Sequence, residues 1–412
     1  MLVDLYIKNV EGIIDERINL ISKARNKETS NSVYKTIDGT FINRQLAIIG
    51  ANATGKTSTL KVLRNTVRYI IFPSIMDRIL SAINNPKDIK DVENLKKGIY
   101  NFYKLNQNVD LEREDSKIYI ELYIETAEEE TTGYYDYYLD FSGDILEKGI
   151  DLEQLLFRKQ YNSKKKEIIS RRENIKNSQI GYNYAFLRNM NTDDFKEWKF
   201  IKAFGDELIT RMKSIILEET DTDFLATFIK SNSEIAKKII NIVDSKITKI
   251  KTTSGKNDDI NKYKFYTPKG NYLKYSQLST GTQKLLFVVG SMIESIRDEQ
   301  LILVDEIDSN INNRLIKIIF DTFHSKRNKS QLVFTTNYPG VIPEDFRYDQ
   351  IYILSKKDGV TVAKRLIDIK DKNGKKVRQD VSFSRAYLNG KFDDISEIDN
   401  NKLMINDFLN CL

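Results

Sequence analysis

Two short stretches carry residues that could do chemistry together. Gly50-Ala51-Asn52-Ala53-Thr54-Gly55-Lys56-Thr57, followed by Ser58, fits the phosphate-loop pattern G-x-x-x-x-G-K-[ST]. Glycine is required where a backbone must turn tightly and lie close to a phosphate, because no Cβ stands in the way. The loop N–H groups and the N-terminus of the next helix then face the anion. Far downstream, Leu301-Ile302-Leu303-Val304-Asp305-Glu306 is an apolar run ending in two carboxylates. Asp305 at such a strand end can hold Mg²⁺ together with the Thr57 hydroxyl, while Glu306 can orient and activate a water. An acidic strand end alone says little; with a good phosphate loop it reads as the second half of a nucleotide site.

These residues need elements to position them. Gln45-Leu46-Ala47-Ile48-Ile49 is almost continuously apolar, as a strand covered on both faces should be, so Phe41–Ile49 is expected to lead into the loop as a strand. After Thr57, Leu60, Leu63, Val67 and Ile71 recur at helical spacing, and Pro73 ends that helix. Leu278-Ser279-Thr280-Gly281-Thr282-Gln283 precedes a second helix marked by Leu285, Val288, Val289, Met292, Ile293 and Ile296. Ser279 and Gly281 at that N-terminus would make a second anion site; alternatively Ser279 or Thr280 is a plain N-cap. Gln331–Phe334 and Gln350–Leu354 are further short apolar strands, and the alternation of strand and helix predicts a parallel sheet.

The remainder of the chain is read more coarsely. Leu2–Leu20 reads as one or two strands, and Lys117–Thr126 with Tyr134–Phe141 as a hairpin in which Tyr134, Tyr135, Tyr137 and Tyr138 pack a sheet. Residues Ser74 to Asp115 and Arg158 to Ile250 look helical and polar. The second stretch carries the basic run Lys164, Lys165, Lys166, Arg171 and Arg172, either a solvated surface or a phosphate-contacting patch, and the lone Trp198 is expected to pack. The expected division is 1–157 as a first lobe with the phosphate loop and hairpin, 158–250 as a helical insert, and 251–412 as a second lobe.

The 412 residues, with 40% hydrophobic and 30% charged content, suit a globular chain of one to three domains. The net charge of +6 permits nucleic-acid contact without requiring it. Cys411 is the single cysteine, which excludes an internal disulfide and a zinc–thiolate cluster. No signal-peptide core and no membrane-length apolar run is seen, so a cytoplasmic protein without membrane contact is expected.

The order of loop, insert, Ser-x-Gly helix and Asp-Glu strand resembles the ABC-type ATPases of the SMC, RecF and OLD group. Leu5-Tyr6-Ile7-Lys8-Asn9-Val10-Glu11-Gly12 is similar to the group's opening strand. Arg385-Ala386-Tyr387-Leu388-Asn389-Gly390-Lys391-Phe392 is similar to the tail of its stand-alone bacterial abortive-infection, or anti-phage, branch. The resemblance implies an α/β P-loop NTPase of ABC ATPase type, with a mixed, largely parallel core sheet, an antiparallel β subdomain and a helical insert. It implies ATP and Mg²⁺ as ligands and a homodimer, or higher homo-oligomer, closed around ATP. Lys56 would contact the β- and γ-phosphates, and Ser279 and Gly281 the γ-phosphate held by the other subunit. Ser309-Asn310 is similar to the segment that crosses the dimer interface. Thr335-Thr336-Asn337 stands where the group usually has Thr-Thr-His, so Asn337 takes the switch position. Asparagine can donate a hydrogen bond to a phosphate oxygen but cannot titrate near neutrality, which implies slow hydrolysis. The only histidine, His324, is expected to be packed or solvated rather than catalytic.

OLD-type relatives often carry a Toprim nuclease, which needs an Asp-x-Asp pair. The segment after the last strands has none, and Asp221-Thr222-Asp223 lies inside the insert. The expected function is therefore an ATP-driven sensor and switch of an anti-phage system, controlling a separately encoded nuclease or toxin. The alternatives are a DNA-repair or DNA-tethering ATPase of RecF or SMC type, and a slowly hydrolysing nucleotide-binding scaffold. A transporter ATPase fits the long inserts poorly.

Overall fold

The computed structural model describes residues 1–10, 12–23, 31–71, 116–125, 132–141, 152–161, 184–188, 215–216, 222–243, 247–252, 259–297, 301–309, 313–323, 329–357, 359–370 and 383–388. The expected helical segment Ser74–Asp115, the basic run Lys164–Arg172, Trp198, Asn310 and His324 lie outside the described residues.

The central layer is a six-stranded sheet of β10 (Ile215–Ile216), β14 (Leu301–Val304), β15 (Gln331–Thr336), β5 (Gln45–Gly50), β16 (Ile351–Lys357) and β17 (Val360–Arg365), in that spatial order. All neighbours are parallel except β16 and β17, which form an antiparallel hairpin. The short apolar runs behave as doubly covered strands should. Leu46, Ile48, Leu301, Leu303, Val333, Tyr352 and Leu354 feed one core cluster, and Ala47, Ile49, Ile302, Val304, Leu332, Phe334, Ile351 and Ile353 feed the other. Period-2 alternation thus sends successive side chains to opposite faces of one sheet.

Over the first face lies an antiparallel sheet, ordered β2 (Ile13–Asn19), β1 (Leu2–Val10), β6 (Ser116–Ile124), β7 (Gly133–Phe141), β8 (Leu152–Arg158) and β9 (Tyr184–Arg188). The expected hairpin is β6 and β7, and its four tyrosines are buried in the sheet packing. Helix α1 (Lys56–Ile71) contributes Leu60, Leu63 and Val67 to the same core. Over the second face pack α2 (Thr222–Ser231), α3 (Ser233–Val243), α4 (Thr280–Arg297) and α5 (Asn313–Phe323). A three-stranded sheet, β11 (Lys249–Thr252), β12 (Tyr263–Tyr266) and β13 (Tyr272–Lys274), adjoins them, and α6 (Phe383–Leu388) adds Phe383 and Ala386.

Two differences from the sequence reading have physical causes. The expected helical insert does contain α2 and α3, but two strands also lie within it: β9 extends the antiparallel sheet by pairing with β8, and β10 edges the core sheet beside β14. The single expected strand over Phe41–Ile49 is broken at Arg44: β4 (Phe41–Asn43) pairs with β3 (Val33–Lys35) in a separate two-stranded sheet, while β5 enters the core. Arg44 is buried, and its guanidinium donates to Phe323 O at 2.8 Å and to Asn31 O at 2.9 Å.

Buried polar groups fasten the layers. Gln331 Nε2 donates to Leu2 O (2.9 Å) and Asn43 O (2.8 Å), and its Oε1 accepts from Leu2 N–H (2.6 Å), tying the two large sheets. Arg158 bridges Asp136 and Glu121 inside the antiparallel sheet. Asp349 accepts from Ser22 Oγ (3.0 Å), Lys23 N–H (2.8 Å) and Arg347 Nε (3.0 Å), with Arg365 beside it. Burial alone would raise the Asp349 pKa, but the two guanidiniums and the Lys23 N–H hold it below its ordinary 3.8. Its stabilisation is therefore complete at neutral pH and is lost as pH falls through the folded-state value. Asp349→Ala, which strands buried arginine charge, should cost about 3–5 kcal/mol in urea unfolding at pH 7. The gap from wild type should narrow below about pH 4; a gap unchanged down to pH 3 would contradict this account.

Candidate functional site

Three strands bring the site together. Parallel pairing of β14 with β15, and of β15 with β5, sets Val304, Thr336 and Gly50 at one edge of the core sheet. Ligand crevices in open α/β sheets lie at this carboxyl edge. Immediately after Gly50 the loop turns and α1 begins at Lys56. A Cβ at Gly50 would stand 2.5 Å from Leu354 O and 2.6 Å from Thr54 Oγ1, so no larger residue fits. Gly55 has φ +97°, and a Cβ there would press on the Thr361 side chain. Ala53 also takes a left-handed conformation, φ +63°.

Lys56 is buried at 5% exposure, and its Nζ donates to Gly50 O (2.9 Å) and Ala51 O (2.7 Å), which holds the ammonium over the loop. Burial lowers its pKa below the ordinary 10.5, opposed by the nearby carboxylates of Asp305, Glu306 and Asp308. Thr57 Oγ1 donates to Asp305 Oδ2 at 2.8 Å. On its other side, Asp305 Oδ1 accepts from Thr335 Oγ1, and the same Thr335 oxygen accepts from Glu306 N–H at 2.8 Å. One hydroxyl thus fixes both members of the acidic pair. Glu306 is exposed and has φ +47°, a conformation that costs a non-glycine residue of order 1–3 kcal/mol. Its carbonyl accepts from Lys284 Nζ of α4 at 2.9 Å, and its carboxylate faces Asn337 Nδ2 at 3.5 Å.

The resulting cavity of about 280 Å³ is lined by Gly12, Asn52, Ala53, Gly55, Lys56, Thr57, Ser58, Glu306, Lys356 and Thr361. Ser279 and Gly281 are not among these. Ser279 Oγ accepts from Thr282 N–H at 3.1 Å, an N-cap on its own helix α4. Within one chain, therefore, the loop, the acidic pair and Asn337 converge, while the Ser-x-Gly turn does not join them.

Thr335 was read within the Thr335-Thr336-Asn337 segment with no role of its own, and several further contributors carry no motif. Lys356 and Thr361 come from the β16–β17 hairpin and face each other in register. Glu16 of β2 is buried at 2% exposure, and its Oε2 lies 3.0 Å from Thr59 Oγ1, which in turn donates to Gly55 O at 2.9 Å. Burial raises its pKa from 4.5 to about 8, with the Thr59 hydroxyl working against the rise. When protonated, Glu16 can donate to Thr59 and complete a chain of hydrogen bonds that ends on the loop carbonyl.

The residues present fit a nucleotide with a divalent cation. The glycine cradle leaves room for a phosphate chain, and Thr57 and Asp305 already place a hydroxyl and a carboxylate oxygen side by side.

A family model described as "AAA domain, putative AbiEii toxin, Type IV TA system" matches residues 46–342. That is more than half of the chain, and the chain belongs to this family. Its fold is that of an α/β P-loop NTPase with a mixed, largely parallel core sheet. An uncharacterized protein of Dictyostelium discoideum is 26% identical over 140 residues, and the match spans 32% of this chain but only 17% of that protein. Among solved structures, the SMC head domain of Thermotoga maritima aligns over 88% of this chain and 98% of its own, at 10% identity and TM-score 0.42. An SMC head bound to the C-terminal winged-helix domain of ScpA aligns over 89% of this chain and 98% of its own, at 12% identity and TM-score 0.45. The Pyrococcus furiosus SMC head with an extended coiled coil, bound to the C-terminal domain of ScpA, aligns over 89% and 96%, at 10% identity and TM-score 0.40.

The Glu16 geometry has a measurable signature. A folded-state pKa raised above the unfolded one means that the unfolded chain releases a proton the folded chain keeps. Stability should therefore fall between about pH 4.5 and 8. In Glu16→Gln this component of the decline should vanish, read as urea midpoints across that range. Parallel pH profiles for the two proteins would show that Glu16 is ionised in the fold.

Proposed function

We propose that the chain is an ATPase that binds ATP with Mg²⁺, closes as a homodimer around it, and acts as a slow switch. The observation that carries this reading is the continuous contact from Thr57 through Asp305 to Thr335, with Glu306 held at the mouth of the same cavity. The backbone of Gly50–Thr57 and Ser58 would cradle the phosphates, and Lys56 would meet the β- and γ-oxygens. Thr57 and Asp305 would hold Mg²⁺, which, when bound, neutralises charge on the phosphate chain. Glu306 would orient the attacking water and accept its proton. Asn337, within reach of Glu306, would donate to the γ-phosphate without titrating. In this reading 1–157 and 251–412 make the nucleotide-binding unit, and 158–250 is inserted between them.

The self-capped Ser279 supports a site completed in trans. It lies outside the chain's own cavity, on an exposed helix N-terminus suited to an anion. Dimer closure would exchange that cap for a phosphate on the other subunit. In this reading the chain is cytoplasmic, serves an anti-phage system and controls a separately encoded effector; the defence setting is supported by the tail resemblance and by the family description, which names AbiEii and a type IV toxin–antitoxin system.

Glu306→Gln should keep ATP affinity within about threefold, lower turnover at least 100-fold and accumulate an ATP-dependent dimer by light scattering. Normal turnover in that variant would remove Glu306 from the water-activating role. Subunit mixing tests the shared site. Lys56→Ala and Ser279→Arg should each be inactive, yet their mixture should recover part of the activity, because one of the two sites in the heterodimer is intact. No recovery, with mixed dimers shown to form, would sink the trans assignment.

A further inference from the structure

The three-stranded sheet β11–β12–β13 turns one face inward and one outward. Ile250, Phe265 and Leu273, aligned across the strands, pack into the core. The alternate residues form two outward rows. One row is Lys251–Lys264–Lys274 and the other is Lys249–Tyr266–Tyr272. Neighbouring strands are about 4.8 Å apart, so the first row sets three like charges directly opposite one another, an arrangement that destabilises a sheet. None of the three strands contains a carboxylate to relieve it. Two of the three lysines instead turn to rings: Lys264 Nζ lies 4.3 Å from the Tyr272 centroid and Lys251 Nζ 5.7 Å from that of Tyr266. The two rings are 5.8 Å apart, and Tyr272 is 45% exposed.

We propose that this face binds single-stranded nucleic acid. A ladder of lysines that can track a phosphate backbone, beside the exposed Tyr272 ring on which a base can stack, is the chemistry such strands require. Solubility alone would be served by mixed charge and would not call for aligned lysines with tyrosines beside them. An acidic peptide would use the lysines and leave the rings without a role. None of its residues lines the nucleotide cavity. β13 passes through the single turn Tyr275–Gln277 into Ser279, so a strand seated here would lie next to the Ser-x-Gly turn. The inference itself does not depend on the nucleotide reading, because binding can be measured without ATP.

The test is fluorescence-anisotropy titration of the full chain with a labelled oligo-dT of about 20 nucleotides over a range of salt. Wild type should bind, with affinity falling steeply as salt rises. The triple variant Lys251→Gln, Lys264→Gln, Lys274→Gln should bind at least tenfold more weakly, and its log–log salt slope should be shallower by about 2, from three lost contacts at about 0.7 each. Tyr272→Ala should weaken binding about tenfold with the salt slope unchanged, because stacking is not ionic. Unchanged melting temperatures in both variants would show that the fold is kept. As a second readout, a 4-thiothymidine oligonucleotide should photocrosslink to the peptide carrying Tyr272. Failure of wild type to bind, undiminished binding by the triple variant, or equally effective competition by polyglutamate or by duplex DNA would overturn the proposal.

Discussion

The carboxylate of Asp305 is the point through which the site is assembled. It takes a hydrogen bond from Thr57, at the start of the helix after the phosphate loop, and another from Thr335, at the end of the adjacent strand. Hydrogen bonds to a charged group are worth about 1.5–3 kcal/mol each, so the two together can fix loop and strand ends that share no covalent neighbour. They work only because the parallel register of β14, β15 and β5 ends all three strands at one level. A slip by one residue would turn each inward side chain to the opposite face and separate the carboxylate from both hydroxyls.

Carboxylates elsewhere in the molecule show how environment decides their state. Asp349 sits between two guanidiniums, and Asp136 and Glu121 share Arg158; each of these buried acids has a cation to pair with. Glu16 has only a hydroxyl beside it, and burial pushes its pKa up to about 8. A neutral acid directly beneath the phosphate loop adds no negative charge where an anion must approach, which is compatible with the loop's chemistry in a way that a buried carboxylate would not be.

Much of this was legible in the sequence, and the reason is locality. The loop, its strand and its helix form one continuous segment, Gln45–Ile71, and the acidic pair ends an apolar run, so motif and periodicity suffice. The hairpin follows from its strand pattern around a turn, and its tyrosines, buried on both faces of β7, from the sheet packing. What was not legible depends on partners well separated in the chain, 30 residues for Thr335 and Asp305 and 43 for Glu16 and Thr59. The role of Thr335 needs the β14–β15 register, that of Lys356 and Thr361 needs the hairpin to fold back beside the loop, and that of Glu16 needs β2 to lie over α1. The break at Arg44 was hidden for the same reason, since the carbonyl of Phe323 that it serves is far along the chain. At Ser279 the sequence allowed both a cap and an anion site. A single chain displays the cap, and the same hydroxyl would serve either role.

Glu306 is where two requirements of the fold disagree. Its φ of +47° suits glycine or asparagine, whereas the water-orienting role proposed for it at the cavity calls for a carboxylate on a two-carbon arm. The bond its N–H donates to the Thr335 hydroxyl, and the bond its carbonyl accepts from Lys284, hold it there against its own backbone preference. Position 306 is thus locally frustrated. Replacements that relax the backbone discard the carboxylate, and replacements that keep the reach retain the strain. The routes by which this position could drift without changing what the cavity does are correspondingly few.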